Sequence, residues 1–144
     1  MHISFFEEFP SKKNLQKLRL VRRPTKLYLG CSSLQEFRQV SLGIKNTNIK
    51  ECIYWPLLKK REGYWISPFS QRIALERIFK ELQGNTIPVM LDLELPTTQN
   101  PLLYVTQLWN FYKNKSIIKD FISTYSGVIY LAEYAPCYQL CTGK

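Results

Sequence analysis

The chain alternates throughout between short strand-like runs and longer helix-like segments, and this alternation constrains its fold more than any other feature. Apolar or alternating runs bounded by Pro, Gly or Ser predict five strands, at 3–8, 25–30, 49–55, 87–95 and 128–134. Apolar residues at helical spacing predict four intervening helices, at about 11–24, 32 or 33–43, 67–84 and 100–125. Ser11, either Ser32 or Ser33, and Asn100 are expected to cap the first, second and fourth helices, and Gly84 to end the third. The fourth helix is expected to break near 114–116. Such strict alternation is typical of a parallel sheet, so the sequence predicts an α/β fold.

The fourth predicted strand separates two architectures that share this element order. A five-stranded doubly wound sheet has helices on both faces, so its central strands are apolar on both. The strands of a TIM-type barrel instead turn one apolar face to the helices and carry polar groups inward near their carboxyl ends. A period of two separates the apolar positions of strand 87–95 from Met90, Asp92 and Glu94. This pattern favours the first five strands of a TIM-type barrel, with the doubly wound sheet as the alternative.

The length of the chain agrees with only part of a barrel. It has 144 residues, whereas a complete eight-stranded α/β barrel needs about 200 or more. We therefore expect a single α/β domain over 1–144 that forms a truncated barrel. Its open sheet edges would be covered by another chain, by a second copy, or not at all; coverage by a second copy would be self-association through those edges.

The charge of the chain favours contact with polyanions. Lys and Arg number 20 against 11 Asp and Glu, a formal net charge of +9. Seven cations without an intervening acid follow Ser11, and they either contact a phosphate backbone or form a solvated helix face. They are Lys12, Lys13, Lys17, Arg19, Arg22, Arg23 and Lys26.

The remaining composition bears on compartment. No apolar run is long enough to span a membrane, and the first eight residues carry two acids where a secretory leader would stay apolar. The four cysteines form no dense framework, and Cys137 and Cys141 have no second pair or nearby His to complete a zinc site. We expect reduced thiols and a cytoplasmic protein.

Scarce acids gather at the predicted ends of strands. Five of the 11 lie there: Glu7, Glu8, Asp92, Glu94 and Glu133. Ligands of parallel α/β folds bind at the carboxyl ends of the strands, and crowded carboxylates raise one another's pKa, which prepares a general acid and a partner base. The alternative role for each is to cap the next helix or to pair with Lys or Arg. We predict Glu94, Asp92 and Glu7 as catalytic carboxylates, with Glu8 and Glu133 in substrate binding.

Aromatic residues are expected at the same end of the sheet. The connection 56–67 is long for a strand-to-helix loop. Trp55, Tyr64 and Trp65 would form an apolar platform for a sugar or a base, and Tyr134 would join them from the fifth strand. The alternative is that Tyr64 and Trp65 cover the core.

The segment Asp92-Leu93-Glu94-Leu95-Pro96 resembles the D-x-E-x-P ending of the chitinase-type glycoside hydrolase signature, at the end of the fourth strand. Its D-x-E portion is also similar to that of lysozyme-type barrel muramidases. The resemblance to the amino-terminal half of these (β/α)8 barrels implies that Glu94 is the proton donor and that Asp92 orients it.

The residues required for several other types of catalysis and cofactor binding are absent from the sequence. His2 is the only histidine and lies at the wrong end of its strand, which disfavours a Ser-His-Asp or Cys-His mechanism. No Gly-rich phosphate loop occurs, so no nucleotide cofactor is expected. An all-oxygen Mg²⁺ site on the acids is a further alternative. The sequence thus predicts a glycoside hydrolase-like domain that binds or cleaves a carbohydrate without a cofactor. The alternative is a non-catalytic truncated barrel whose basic surface binds a polyanion or a partner chain.

Overall fold

The computed structural model of the chain describes residues 4–59, 72–93 and 100–133. Within them one parallel sheet has five strands in the order β1-β2-β3-β4-β5. The strands are β1 (Ser4–Glu8), β2 (Thr25–Cys31), β3 (Ile49–Pro56), β4 (Val89–Leu93) and β5 (Ile129–Glu133). The helices are α1 (Lys12–Lys17), α2 (Leu34–Gly43), α3 (Arg72–Leu82) and α4 (Pro101–Thr124), and a 3-10 turn at Leu18–Leu20 follows α1. The predicted α/β class, with alternating units and a parallel sheet, is confirmed.

All four helical segments pack on the same face of the sheet. The core joins Leu27 and Leu29 of β2, Tyr54 of β3 and Leu91 of β4 to buried side chains from the 3-10 turn, α2, α3 and α4. Each strand lies next to its predecessor in the chain, so the described sheet has no reversal of strand order. A doubly wound sheet needs such a reversal and helices on both faces. The doubly wound alternative is therefore wrong for the described strands.

The first helix is shorter than its sequence pattern predicts. Ser11 caps it as expected, since its Oγ accepts the N–H of Asn14 at 3.2 Å. However, α1 ends at Lys17, because the chain tightens into the 3-10 turn and then becomes extended at Val21. The side chain of Asn46 holds this exit by donating to the carbonyls of Leu18 (2.7 Å) and Val21 (3.0 Å).

Capping residues explain the ends of α2 and α3. The Oγ of Ser33 accepts the N–H of Glu36 at 3.2 Å, which begins α2 where the sequence predicts. After α3, Gly84 adopts a φ of +73°, the left-handed conformation that glycine supplies at helix ends. The start of α3 predicted at Ser67 lies outside the described residues.

The long helix α4 is continuous, and the predicted break near 114–116 is wrong. Asn100 caps it by accepting the N–H groups of Leu102 and Leu103. Asn114 does not interrupt it, because this side chain is buried on the face that also buries Phe111 and Ile118. None of the helices in the part of the chain that the structure describes is long and apolar enough to cross a membrane.

Candidate functional site

The sheet face opposite the helices, which we call the inner face, carries most of the described polar and aromatic strand residues. The register aligns Lys26 with Glu51 on the neighbouring strand, and Met90 with Tyr130. These positions alternate with the core positions, so they lie on the other face. The face also includes Tyr28, Ile53, Trp55 and Asp92.

A polar cluster occupies the amino-terminal part of the inner face. The Nζ of Lys26 contacts the Oε2 of Glu51 at 2.8 Å and donates to the Oη of Tyr130 at 2.6 Å, and that hydroxyl donates to Glu51 at 3.2 Å. The hydrogen bond to Glu51, followed by the one to Tyr130, raises the pKa of Lys26 above its ordinary value. Lys26 therefore stays charged at neutral pH and does not act as a general base.

The same contacts show that the sheet is curved. Tyr130 belongs to β5, yet its ring centroid lies 5.8 Å from that of Tyr28 on β2, with β3 and β4 between them. Three strand spacings would separate β2 and β5 by about 14 Å in a flat sheet. The side chains converge because the inner face is concave.

An aromatic pair marks the carboxyl end of this concave face. Trp55 of β3 is half-buried, and its ring lies 5.4 Å from that of Phe9, which is 50% exposed. Gly30 of β2 permits this approach, because an added Cβ there would lie 3.1 Å from the Phe9 ring and from Leu57. Phe9 is not among the predicted site residues. The only sequence feature that pointed to it was its position directly before Pro10, where the first predicted strand ends.

Asp92 lies on the same side of the sheet as Trp55. Tyr54 pairs with Val89, so Trp55 aligns with Met90, and Asp92 is two residues further towards the carboxyl end of β4. The side chain of Asp92 is half-buried and interacts with other groups. The structure thus brings one predicted carboxylate and one predicted aromatic residue to the same end of the inner face.

The other predicted acids lie at different positions in the sheet. Glu8 aligns with the core residue Leu29, is 8% exposed, and accepts the N–H of Phe9 on its own Oε1 at 3.0 Å. The backbone of Glu7 aligns with Tyr28, and that of Glu133 aligns with Leu93. Four predicted site residues lie outside the described residues: Tyr64, Trp65, Glu94 and Tyr134.

An ion-pair network that the sequence did not reveal holds the connections after β2 and β3. Arg77 of α3 donates to the carbonyls of Ser32 (3.2 Å) and Leu57 (3.1 Å) and pairs with Glu81 at 3.3 Å. Glu81 also accepts the N–H of Leu34 at 3.1 Å, at the start of α2. This network lies on the helix side of the sheet, so it positions the loops that border the aromatic pair.

The two described thiols are held in the protonated form at neutral pH. Burial raises the pKa of Cys31 to about 12 and that of Cys52 to about 11, and neither thiol forms a disulfide. Cys137 and Cys141 lie outside the described residues. Over 4–59, 72–93 and 100–133 no group of three His, Cys, Asp or Glu side chains is arranged to hold a metal ion.

No known protein family, no curated protein and no solved structure matches this chain at a significant level.

Proposed function

We propose that the carboxyl end of the inner face binds a carbohydrate, in a glycoside hydrolase-like domain built as the first five strands of a TIM-type barrel. The observation that carries this proposal is the joint position of Asp92 and the Phe9–Trp55 pair on one concave face. An exposed aromatic ring offers an apolar surface to a sugar, and a nearby carboxylate accepts hydrogen bonds from its hydroxyls.

The curvature and strand order support the barrel part of the proposal. Strands that follow one another in the sheet as in the chain, with every helix on the convex side, are what the opening units of such a barrel require. Barrel interiors are filled by side-chain layers rather than left open. Here the Lys26–Glu51–Tyr130 cluster fills the amino-terminal part, the buried Ile53 lies between that cluster and Trp55 along β3, and the buried Met90 lies level with Trp55. Space for a ligand is therefore expected at the carboxyl end.

A catalytic role rests on the pair Asp92 and Glu94. The sequence predicts that the strand continues to Glu94; on such a strand, residues two apart would face the same way with about 7 Å between their backbones, so their carboxylates would act on one glycosidic bond. Glu94 would donate the proton to the leaving oxygen, and Asp92 would orient it and raise its pKa through like charge.

Binding is tested by calorimetric titration with chitin oligosaccharides and peptidoglycan fragments. We expect Trp55→Ala to weaken binding by about tenfold or more, because it removes the aromatic platform. Trp109→Ala is the matched control, since this tryptophan is 57% exposed on α4, on the opposite side of the sheet from Trp55. Equal affinity of both variants, each shown by circular dichroism to be folded, would remove the platform from the proposal.

Turnover is tested separately with the same glycans. Glu94→Gln and Asp92→Asn should abolish release of reducing ends, whereas Glu76→Gln, on the exposed surface of α3, should not. Binding without turnover in the unmodified chain would retain the carbohydrate site and eliminate the hydrolase.

A further inference from the structure

A groove separates α1 and the 3-10 turn from α2 on the convex side of the molecule, away from the proposed carbohydrate site. Its volume is about 1200 Å³. It exists because α1 is only six residues long and buries no side chain, so it leaves one flank of α2 uncovered. The Asn46 side chain fixes the edge of the groove by holding the carbonyls of Leu18 and Val21.

The groove has an apolar floor and a cationic rim. Its floor consists of side chains that pack against the core from outside or belong to it: Leu15, Leu18, Val21, Val40 and Ile44. Its rim carries four cations: Lys12, Arg19, Arg22 and Lys45. None of the described residues that line it is acidic or aromatic.

The stretch of chain that supplies nearly all of the groove lining carries the net charge of the whole protein. Residues 11–50 contain ten Lys or Arg and a single acid, Glu36, so this stretch has a net charge of +9. The remainder of the chain holds ten cations and ten acids and is neutral. Glu36 does not line the groove; its Oε2 accepts the N–H and the hydroxyl of Ser32, both at 2.8 Å, at the start of α2.

We propose that this groove binds an acidic amphipathic helix of a partner protein. The apolar side chains of such a helix, at positions i, i+3, i+4 and i+7, would lie on the floor, and its Asp and Glu residues would meet the rim. Complementary charge accelerates and orients the encounter, while the apolar contacts supply affinity.

Features of the groove favour a peptide over nucleic acid. Single strands need aromatic platforms for their bases, and the described lining has none. Asn side chains can read base edges, but the amide groups of Asn46 and Asn48 already donate to backbone carbonyls. A phosphate backbone would also leave the apolar floor without a partner.

The test uses a synthetic peptide of about 14 residues, or four helical turns, with Leu at the apolar positions and Glu elsewhere. Fluorescence anisotropy measures its affinity for the full chain, beside that of a scrambled peptide of the same composition and a DNA duplex of similar charge. We expect the amphipathic peptide to bind at least about tenfold more tightly than the scrambled one. Its affinity should fall as the salt concentration rises. Equal binding of the two peptides, tighter binding of the duplex, or no binding of any probe would overturn the proposal.

Variants locate the interaction. Arg19→Glu combined with Arg22→Glu should reduce affinity by at least about tenfold, while Lys80→Glu combined with Lys119→Glu, the same charge change at exposed positions elsewhere, should change it far less. Val40→Thr keeps the shape of the floor and replaces a methyl group with a hydroxyl. This substitution should weaken binding of the amphipathic peptide and leave any binding of the DNA duplex unchanged. Equal losses for both charge-reversal pairs would mean that total charge, rather than this groove, attracts the peptide.

Discussion

Single glycines show how much of this fold depends on space that a side chain would fill. A Cβ added to Gly127 would lie 2.8 Å from the carbonyl oxygens of both Thr86 and Ile87, and 2.6 Å from the Tyr125 ring. The hydroxyl of Tyr125 donates to the carbonyl of Ile87 at 2.7 Å, so this ring is itself held in place. The chain turns into β5 here against the segment that leads into β4, and backbone oxygens cannot yield as a flexible side chain would.

We therefore expect Gly127→Ala to lower the free energy of unfolding by about 1–3 kcal/mol through overpacking. Gly43→Ala is the matched control: no atom lies within 4 Å of its added Cβ, and the residue is helical. That variant should raise stability by about 0.5–1 kcal/mol, since alanine loses less backbone entropy in a helix. Urea denaturation measures both changes, and equal effects would contradict the steric explanation.

At the scale of the element, α4 contains a buried glutamine whose polar atoms have no hydrogen-bond partner in the described part of the chain. Gln107 is 2% exposed, and neither its Oε1 nor its Nε2 makes a hydrogen bond among the residues that the structure describes. Asn114 lies on the same helix face and is also buried, but it does have an interaction partner. The two amides thus differ in whether the cost of burying them is offset.

This difference predicts opposite outcomes for the same type of substitution. Gln107→Leu should stabilise the protein by about 1–2 kcal/mol, because it removes two buried polar atoms without a partner and roughly keeps the side-chain volume. Asn114→Leu should destabilise it by a similar amount, because it breaks an existing interaction and enlarges the side chain. Thermal unfolding followed by circular dichroism compares them. Destabilisation by Gln107→Leu would show that this amide is satisfied after all.

The elements themselves were largely predictable, because their signals are local. Ser33, Gly84 and Asn100 act where capping rules place them, and the period of two on β4 separates Leu91 from Asp92 as expected. Long-range contacts were not predictable in the same way. Tyr130 reaches Lys26 across two intervening strands because the sheet curves; the pattern on the fourth strand favoured a barrel, but it did not indicate which side chains meet across the curved face.

The same reasoning explains what the sequence missed at the candidate site. Arg77 and Glu81 sit at ordinary helical spacing, and their role appears only when α3 is placed beside the loops after β2 and β3. The early end of α1 was also hidden, because the apolar spacing of Leu15, Leu18 and Val21 continues through the 3-10 turn. The groove beside α2 follows from that early end.

At the scale of the whole molecule, self-association depends on the balance between the net charge and the exposed sheet edges and apolar surface. Among the described strands, β1 and β5 each pair on one side only, and the outer face of α4 exposes Leu102, Val105 and Trp109. Such edges and apolar stripes favour association. A net charge of +9, concentrated in 11–50, opposes it by repulsion between copies.

Salt should therefore act in opposite directions on the two interactions proposed for this chain. Screening weakens repulsion between like-charged copies, so self-association through the sheet edges should increase with sodium chloride, whereas binding of an acidic helix in the groove should decrease. Sedimentation velocity at low and high salt measures the self-association.

Val128→Lys, at an exposed position directly before β5, should reduce the association by adding charge at the edge. Leu42→Lys adds the same charge at the exposed end of α2 and should reduce it less. A dimer that dissociates as salt rises would instead mean that the basic stretch of one copy binds acids of the other, which would place self-association at the groove rather than at the edges.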